Sequence, residues 1–189
     1  GISGSFLIDV LSPKRLQSRV FELAGLPERT IFDERGKCMV LSALIGEDKE
    51  QLTVYRGAAE NAANGFTERV SNIIASLKRS ELTAEEVLMA AEKMGEGNTA
   101  AEKLKDIGRI YAAYEQRMAG ELADAEDISR EMCMRFERSG VLKGQHIFVY
   151  GFDMITPTFA AQMLSMAPLC ESLTLAVETD VNAAPDGRL

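Results

Sequence analysis

Histidine and cysteine are scarce: the 189 residues include one histidine, His146, and three cysteines, Cys38, Cys133 and Cys170. One imidazole leaves no partner for a Ser-His-Asp or Cys-His relay built around a second candidate, and no multi-histidine metal site. His146 therefore reads as an ordinary strand-edge residue. Cysteines that are odd in number, far apart and without a CxxC pair build neither a disulfide framework nor a zinc ribbon, and they fit a reducing, cytoplasmic setting. Long apolar runs are missing too. None approaches the roughly 18 to 20 residues that span a bilayer, and no basic segment with an apolar core and cleavage site opens the chain. Basic charge is in deficit, 21 Lys plus Arg against 29 Asp plus Glu for a net charge of -8. That argues against a general nucleic-acid-binding coat and leaves room only for a local basic groove. A phosphate loop of the form GxxxxGK[ST] is also absent. Gly36-Lys37-Cys38 lacks both the upstream glycine and the hydroxyl after the lysine, so it reads as the start of an amphipathic helix.

What is present is ordinary globular material, 46% hydrophobic and 26% charged, of a length that suits one domain carrying a sizeable insertion. No methionine opens the chain and Pro185 to Leu189 is loop-like, so an internal piece of something larger is expected. Phe6 to Leu11 has the pattern of a strand buried in an α/β sheet. Ser12 as N-cap, Pro13 in the first turn, Leu16, Val20 and Leu23 at helical spacing, and Gly25 with Pro27 as a stop predict a helix directly after it. From Asp33 to about Leu142 the only strand signal is a weak one at Leu52 to Tyr55, and helical periodicity takes over. Helices are predicted from Asp33 to Ile45, with Cys38, Leu41, Leu44 and Ile45 inward, and from Thr67 to Arg79, with Val70, Ile73, Ile74 and Leu77 on one face. Another starts at the capping box Thr83 and Glu86. Two more follow, from Ala100 to Gly120 and from Ala125 to Ser139. The tail returns to α/β character: a strand at His146 to Tyr150, a helix capped by Thr156, and a strand at Leu173 to Val177.

The acidic cluster Asp124, Glu126 and Asp127 opens a helix, where carboxylates cap amides, although three of them can also hold a hard cation. Met132, Cys133 and Met134 resemble a soft-metal box only until helical phase separates them. The pairs Lys78-Arg79 and Lys103 with Lys105 would either line a groove or form a solvated helix face. At the end of the tail strand, where a nucleotide-driven motor keeps its metal-binding and water-positioning carboxylates, stand Tyr150 and Gly151, with Asp153 three residues past the strand. A phenol and a glycine do not hold magnesium, so this element is not expected to hydrolyse ATP.

The segment Ile147 to Pro157, with Phe159 and Gln162, resembles the hhhDGFxxFTPxQ stretch of the B subunit of the AddAB (RexAB) helicase-nuclease, the degenerate counterpart of the DExQ motif in UvrD-type helicases. Three further stretches are similar and in the same order. Val10 to Leu16 with Val20 is similar to SFxRLAxxVL, and Gly65-Phe66 with Ile73 to Arg79 to GFxxxLxxxIxELKR. Lys103 to Ile107 with Ile110, Tyr111, Tyr114 and Asp124 to Asp127 is similar to KLxDIxxIYxxYxxxL…DxxDLL. Tyr150 departs from the family's aspartate, and Met154-Ile155 from its aromatic before Thr-Pro.

This resemblance implies an α/β fold with a large all-helical insertion, in which a partial RecA-like (P-loop NTPase-like) sheet flanks a helical bundle. The implied parts are 1–32 and 145–189 for the α/β domain and 33–144 for the insertion. It implies a parent that processes DNA double-strand breaks for recombinational repair with an AddA-type motor and nuclease subunit, using ATP, magnesium and an iron-sulfur cluster, none of them assigned to residues of this segment. Tyr150, Gly151 and Asp153 become its degenerate Walker B-like positions. In the helicase relatives the turn matching Ser12 to Arg15 lies near the single strand, so Ser12, Lys14 and Arg15 are candidate DNA contacts, while Ser12 also reads as a plain helix cap. The charge of the middle block, 21 acidic against 16 basic residues from Asp33 to Lys143, does not favour a DNA path. The alternative is a helical module that binds a partner protein and no DNA. Basic residues gathered on one face, Lys14, Arg15, Arg19, Lys78 and Arg79, would favour DNA.

Overall fold

A computed structural model describes residues 8–60, 64–95, 97–152 and 154–177. The chain is mostly helical: α1 (Pro13–Ala24), α2 (Glu34–Asp48), α3 (Arg56–Glu60), α4 (Asn64–Arg79), α5 (Ala84–Lys93), α6 (Thr99–Met118), α7 (Ala125–Ser139) and α8 (Pro157–Met166). Among the described residues four short strands, β1 (Thr30–Ile31), β2 (Leu122–Ala123), β3 (His146–Val149) and β4 (Ser172–Leu175), form two separate parallel pairs, β1 with β2 and β3 with β4. The described residues therefore form no continuous RecA-like sheet. They do form one βαβ unit, β3–α8–β4, the connection a parallel pair requires.

Local chemistry sets the helix boundaries. Ser12 accepts a hydrogen bond from the Arg15 amide at 3.3 Å, and α1 ends at Gly25, whose φ of +92° suits a residue without Cβ. Asp33, Thr83, Asp124 and Thr156 cap α2, α5, α7 and α8 in the same way. Thr83 with Glu86 and Asp124 with Asp127 form reciprocal capping boxes.

Two hydrophobic cores result. The first joins Leu41, Leu44 and Ile45 of α2 and Phe66, Val70 and Ile74 of α4 to Ile107, Tyr111, Tyr114 and Met118 of α6. Each buried aliphatic or aromatic side chain of this kind contributes about 1.5–3 kcal/mol. α5 lies against α6 so closely that a Cβ on Gly108 would stand 2.7 Å from Leu88 Cδ2. The second core gathers Val20 and Phe21 of α1, Ile128, Met132 and Phe136 of α7, and Met166 of α8. α7 thus packs on both the first and the last helices, α1 and α8.

Three strand and helix-face expectations are corrected. Residues 8–11 form no strand, and Ile8 and Val10 are exposed, because no neighbouring strand takes up their backbone groups; Phe6 and Leu7 lie outside the described residues. Leu52 to Tyr55 is a turn instead of a strand, and one side chain accounts for it. The carboxylate of Asp106, fully buried on α6, accepts the amides of Thr53 at 2.9 Å, Val54 at 2.8 Å and Tyr55 at 3.0 Å. Those amides are then unavailable for a ladder. Ile73, expected inward, is 40% exposed, since the buried face of α4 runs through Val70, Ile74 and Lys78.

Candidate functional site

The sequence-predicted contact residues lie together in the first turn of α1. Ser12, Lys14 and Arg15 are all exposed, and neither Lys14 nor Arg15 makes an ion pair among the described residues. The Ser12 oxygen accepts its cap bond and its hydroxyl can still donate, and with Pro13 lacking an amide hydrogen and the Arg15 and Leu16 amides bonded to Ser12, the groups that can meet an anion are this hydroxyl, the two cations and the Lys14 amide. Arg19, one turn further on, is paired with Asp9.

The other basic residues proposed for a groove are elsewhere. Lys78 is 1% exposed, and its ammonium lies 2.8 Å from Asp124 Oδ2, 2.7 Å from Asp127 Oδ1 and 3.3 Å from Glu115 Oε1. It is neither a groove residue nor part of a solvated face. Lys37 from α2, 2% exposed, approaches the same cluster at 3.7 Å from Asp124 and 3.3 Å from Glu126. The Tyr114 hydroxyl donates to Asp124 Oδ2 at 3.0 Å, and Arg79 pairs with Glu126 at 3.1 Å. The acidic cluster thus caps α7 and does bind cations, but they are lysines of this chain.

Each perturbed group follows from this geometry. Burial alone would lower the Lys78 ammonium, but the Asp124 and Asp127 carboxylates outweigh it and hold the pKa above the ordinary lysine value. Burial alone would raise Asp124, but Lys78 and the Asp127 amide pull it down to about 2. Burial and then the Asp124 charge push the Tyr114 phenol up, and burial with Glu115 pushes Tyr111 up to about 12. Every charge here has a partner, the condition under which buried ions are tolerated.

The end of α4 is held by the same neighbours. Thr158 of α8 donates to the Arg79 carbonyl at 2.8 Å, and Arg130 of α7 to the Lys78 carbonyl at 3.4 Å. A surface cleft of about 190 Å³ beside this junction is lined by Arg79, Glu126, Ser129, Thr158, Phe159 and Gln162 among others.

Tyr150 is 74% exposed, Gly151 turns the chain at a φ of +82°, and Asp153 lies outside the described residues. Among the described residues no cluster of three or more His, Cys, Asp or Glu side chains is arranged to hold a metal ion. Cys38, Cys133 and Cys170 sit on α2, on α7 and before β4, and three thiols on separate elements do not match the four-thiolate ligation of an iron-sulfur cluster. Among the described residues, no helix is long and apolar enough to cross a membrane.

The burial of Lys37 and Lys78 among carboxylates and the anchoring role of Asp106 were not read from the sequence. A signal existed for Asp106, which shares helical phase with the buried Ile110 four residues on. For Lys78 it was weaker: a lysine in phase with Val70 and Ile74 on an otherwise apolar face.

Comparison with known proteins agrees with the family resemblance. The family model described as ADDB, N-terminal, matches residues 1–188. The B subunit of an ATP-dependent helicase/deoxyribonuclease from Bacillus velezensis is 30% identical over 197 residues, covering 98% of this chain and 16% of the relative. The B subunits of the same name from Moorella thermoacetica and Alkaliphilus metalliredigens are 29% and 28% identical, over 95% and 96% of this chain and 16% of their own lengths. The match of a family model along the whole chain shows that this chain belongs to the AddB N-terminal family, the N-terminal part of helicase/deoxyribonuclease B subunits.

Proposed function

We propose that this chain is the non-catalytic scaffold and DNA-path part of a helicase-nuclease subunit that works on DNA double-strand ends in recombinational repair, beside an AddA-type motor and nuclease subunit. The whole-chain family match carries this reading. The β3–α8–β4 unit supports a partial RecA-like sheet, since parallel βαβ units are what such sheets are built from. In this reading residues 33–144 form the helical insertion, and Tyr150, Gly151 and Asp153 stand where an active motor holds its metal. The Ser12, Lys14 and Arg15 side chains and the Lys14 amide touch the DNA backbone, with Ser12 also capping that turn.

The test is binding of labelled single-stranded DNA to the complete two-subunit enzyme over about 50 to 200 mM salt. Replacing Lys14 and Arg15 by Ala should weaken binding and lower the salt slope by about 1.4, two phosphate contacts at about 0.7 each. An unchanged affinity and slope would remove both residues from the DNA path. One observation favours the alternative of a protein-binding module that touches no DNA. Of the five basic residues whose clustering would mark a groove, Arg19, Lys78 and Arg79 are engaged by carboxylates.

A further inference from the structure

The three cations engaged by carboxylates, Arg19, Lys78 and Arg79, are not held alike. The nearest partners of Lys78 are Asp124, which is buried, and Asp127, which is nearly so. Glu126, which holds Arg79, is mostly covered as well. Arg19 and Asp9 are instead open on both sides, with side chains 47% and 64% exposed. A pair of this kind adds little to stability, and ions from solution weaken it. Asp9 meets no other cation among the described residues. It stands before α1 in the stretch that forms no strand, between the exposed Ile8 and Val10.

Helical spacing puts Arg19 beside the candidate contact turn. Arg15 and Arg19 are four residues apart and share a face of α1, about 6 Å from each other along the axis at about 1.5 Å per residue. The buried stripe of α1 runs through Val20, Phe21 and Ala24, and both arginines are exposed. A single strand that follows the helix from Lys14 and Arg15 therefore passes Arg19. To a guanidinium, a DNA phosphate offers what the Asp9 carboxylate offers, one negative charge shared by two oxygens. The two compete for the same donors.

We propose that Asp9 is an intramolecular mask: its carboxylate holds Arg19 in place of a phosphate until a strand bound at Lys14 and Arg15 displaces it and takes Arg19 as a further contact. This rests on the reading of the α1 turn as part of a DNA path. The experiment measures binding of a labelled oligothymidylate to the complete two-subunit enzyme over about 50 to 200 mM salt. Asp9 and Arg19 are exposed, so substitutions there leave both cores intact. Asp9→Asn should bind about 1.4- to 5-fold more tightly, the range that loss of one exposed competing pair allows. Arg19→Ala should bind more weakly, with the salt slope lowered by about 0.7 for one lost phosphate contact. Glu22→Gln separates masking from general repulsion, because Glu22 is exposed on the same helix and in no ion pair among the described residues. It should gain less than Asp9→Asn, and an equal gain would overturn the mask. Unmoved affinity in Asp9→Asn would overturn it too, as would an unmoved slope in Arg19→Ala. The combined Lys14→Ala and Arg15→Ala variant keeps the two readings apart. Weaker binding there with Asp9→Asn unmoved sinks the mask alone, whereas unmoved binding there sinks the contact turn on which the mask rests.

Discussion

The junction of α4, α6 and α7 and the tail pair β3–β4 invert the usual rule of what lies inside. At the junction the lysines are buried, Lys37 at 2% and Lys78 at 1% exposure, and on the tail pair Phe148 and, just past it, Tyr150 are bare. Both follow from partners. Lys78 is inside because Asp124, Asp127 and Glu115 surround it, and Phe148 is outside because nothing among the described residues lies over it. The helical block satisfies its own polar groups: no buried side-chain nitrogen or oxygen is left without a partner among the described residues. Among the described residues, the tail sheet has only one of its two faces covered.

The largest way to break this contrast is Lys78→Met, which removes the cation and leaves its carboxylates together. A loss of about 3–5 kcal/mol is expected in urea denaturation of the chain. A loss under about 1 kcal/mol would mean that water already reaches the junction, since exposed pairs contribute no more than that. Acid should act next and in a defined window. Asp124 titrates at about 2 when folded against about 3.9 in an unfolded chain. Its contribution is therefore fully present above about pH 4 and disappears as pH falls toward 2, when the carboxylate that holds Lys78 takes up a proton. Lys78 adds the opposite limit: with its folded pKa raised, its contribution is present below the ordinary lysine value and is lost as pH rises through the folded one. Denaturation midpoints at pH 5 and pH 3 should differ less in Asp124→Asn than in the parent chain, and an equal drop in both would remove Asp124 as the acid-sensitive group.

A smaller effect sharpens the packing side of the comparison. Gly108→Ala would gain about 1 kcal/mol at an open helix position. Here the new methyl meets Leu88 Cδ2 at 2.7 Å and Cγ at 2.8 Å, and the overpacking cost of about 1–3 kcal/mol turns the gain into a net loss of about 1 kcal/mol. Thermal melting of the variant would show a lower midpoint, and a raised one would mean that α5 yields easily. The smallest change belongs to the tail. Phe148→Ser in the 189-residue chain should alter stability by no more than about 0.5 kcal/mol, as exposed positions do. A larger loss would mean that the ring already has a cover within this chain.

Caps and helical periods were legible because they are local: Ser12, Thr83 with Glu86, and Thr156 stand where their helices begin. The stripe Ile128, Met132 and Phe136 faces the core as its spacing requires. What was illegible depends on distance along the chain. β1 and β2 are two residues each and pair across some ninety positions, too short for any period to register. Lys78 and Asp124 meet over a separation of 46 residues, so each end offers a bland explanation of its own, a surface lysine and a helix cap. The candidate contact turn at Ser12, Lys14 and Arg15 was readable as a helix start, yet nothing local distinguishes an unpaired arginine such as Arg15 from one that meets a carboxylate, as Arg19 meets Asp9.

Asp106 has a consequence for substitution along the chain. Because it grips the amides of Thr53, Val54 and Tyr55 and not their side chains, the identities at 53 and 54 carry almost no information about the turn, provided neither is proline, which has no amide hydrogen to offer. The constraint has moved some fifty residues away, to a single carboxylate. Tyr55 is the exception, since its ring also rests 5.1 Å from that of Phe66. In a mutational survey the turn should tolerate change at Thr53 and Val54, while its real determinant, Asp106 on a distant helix, should not.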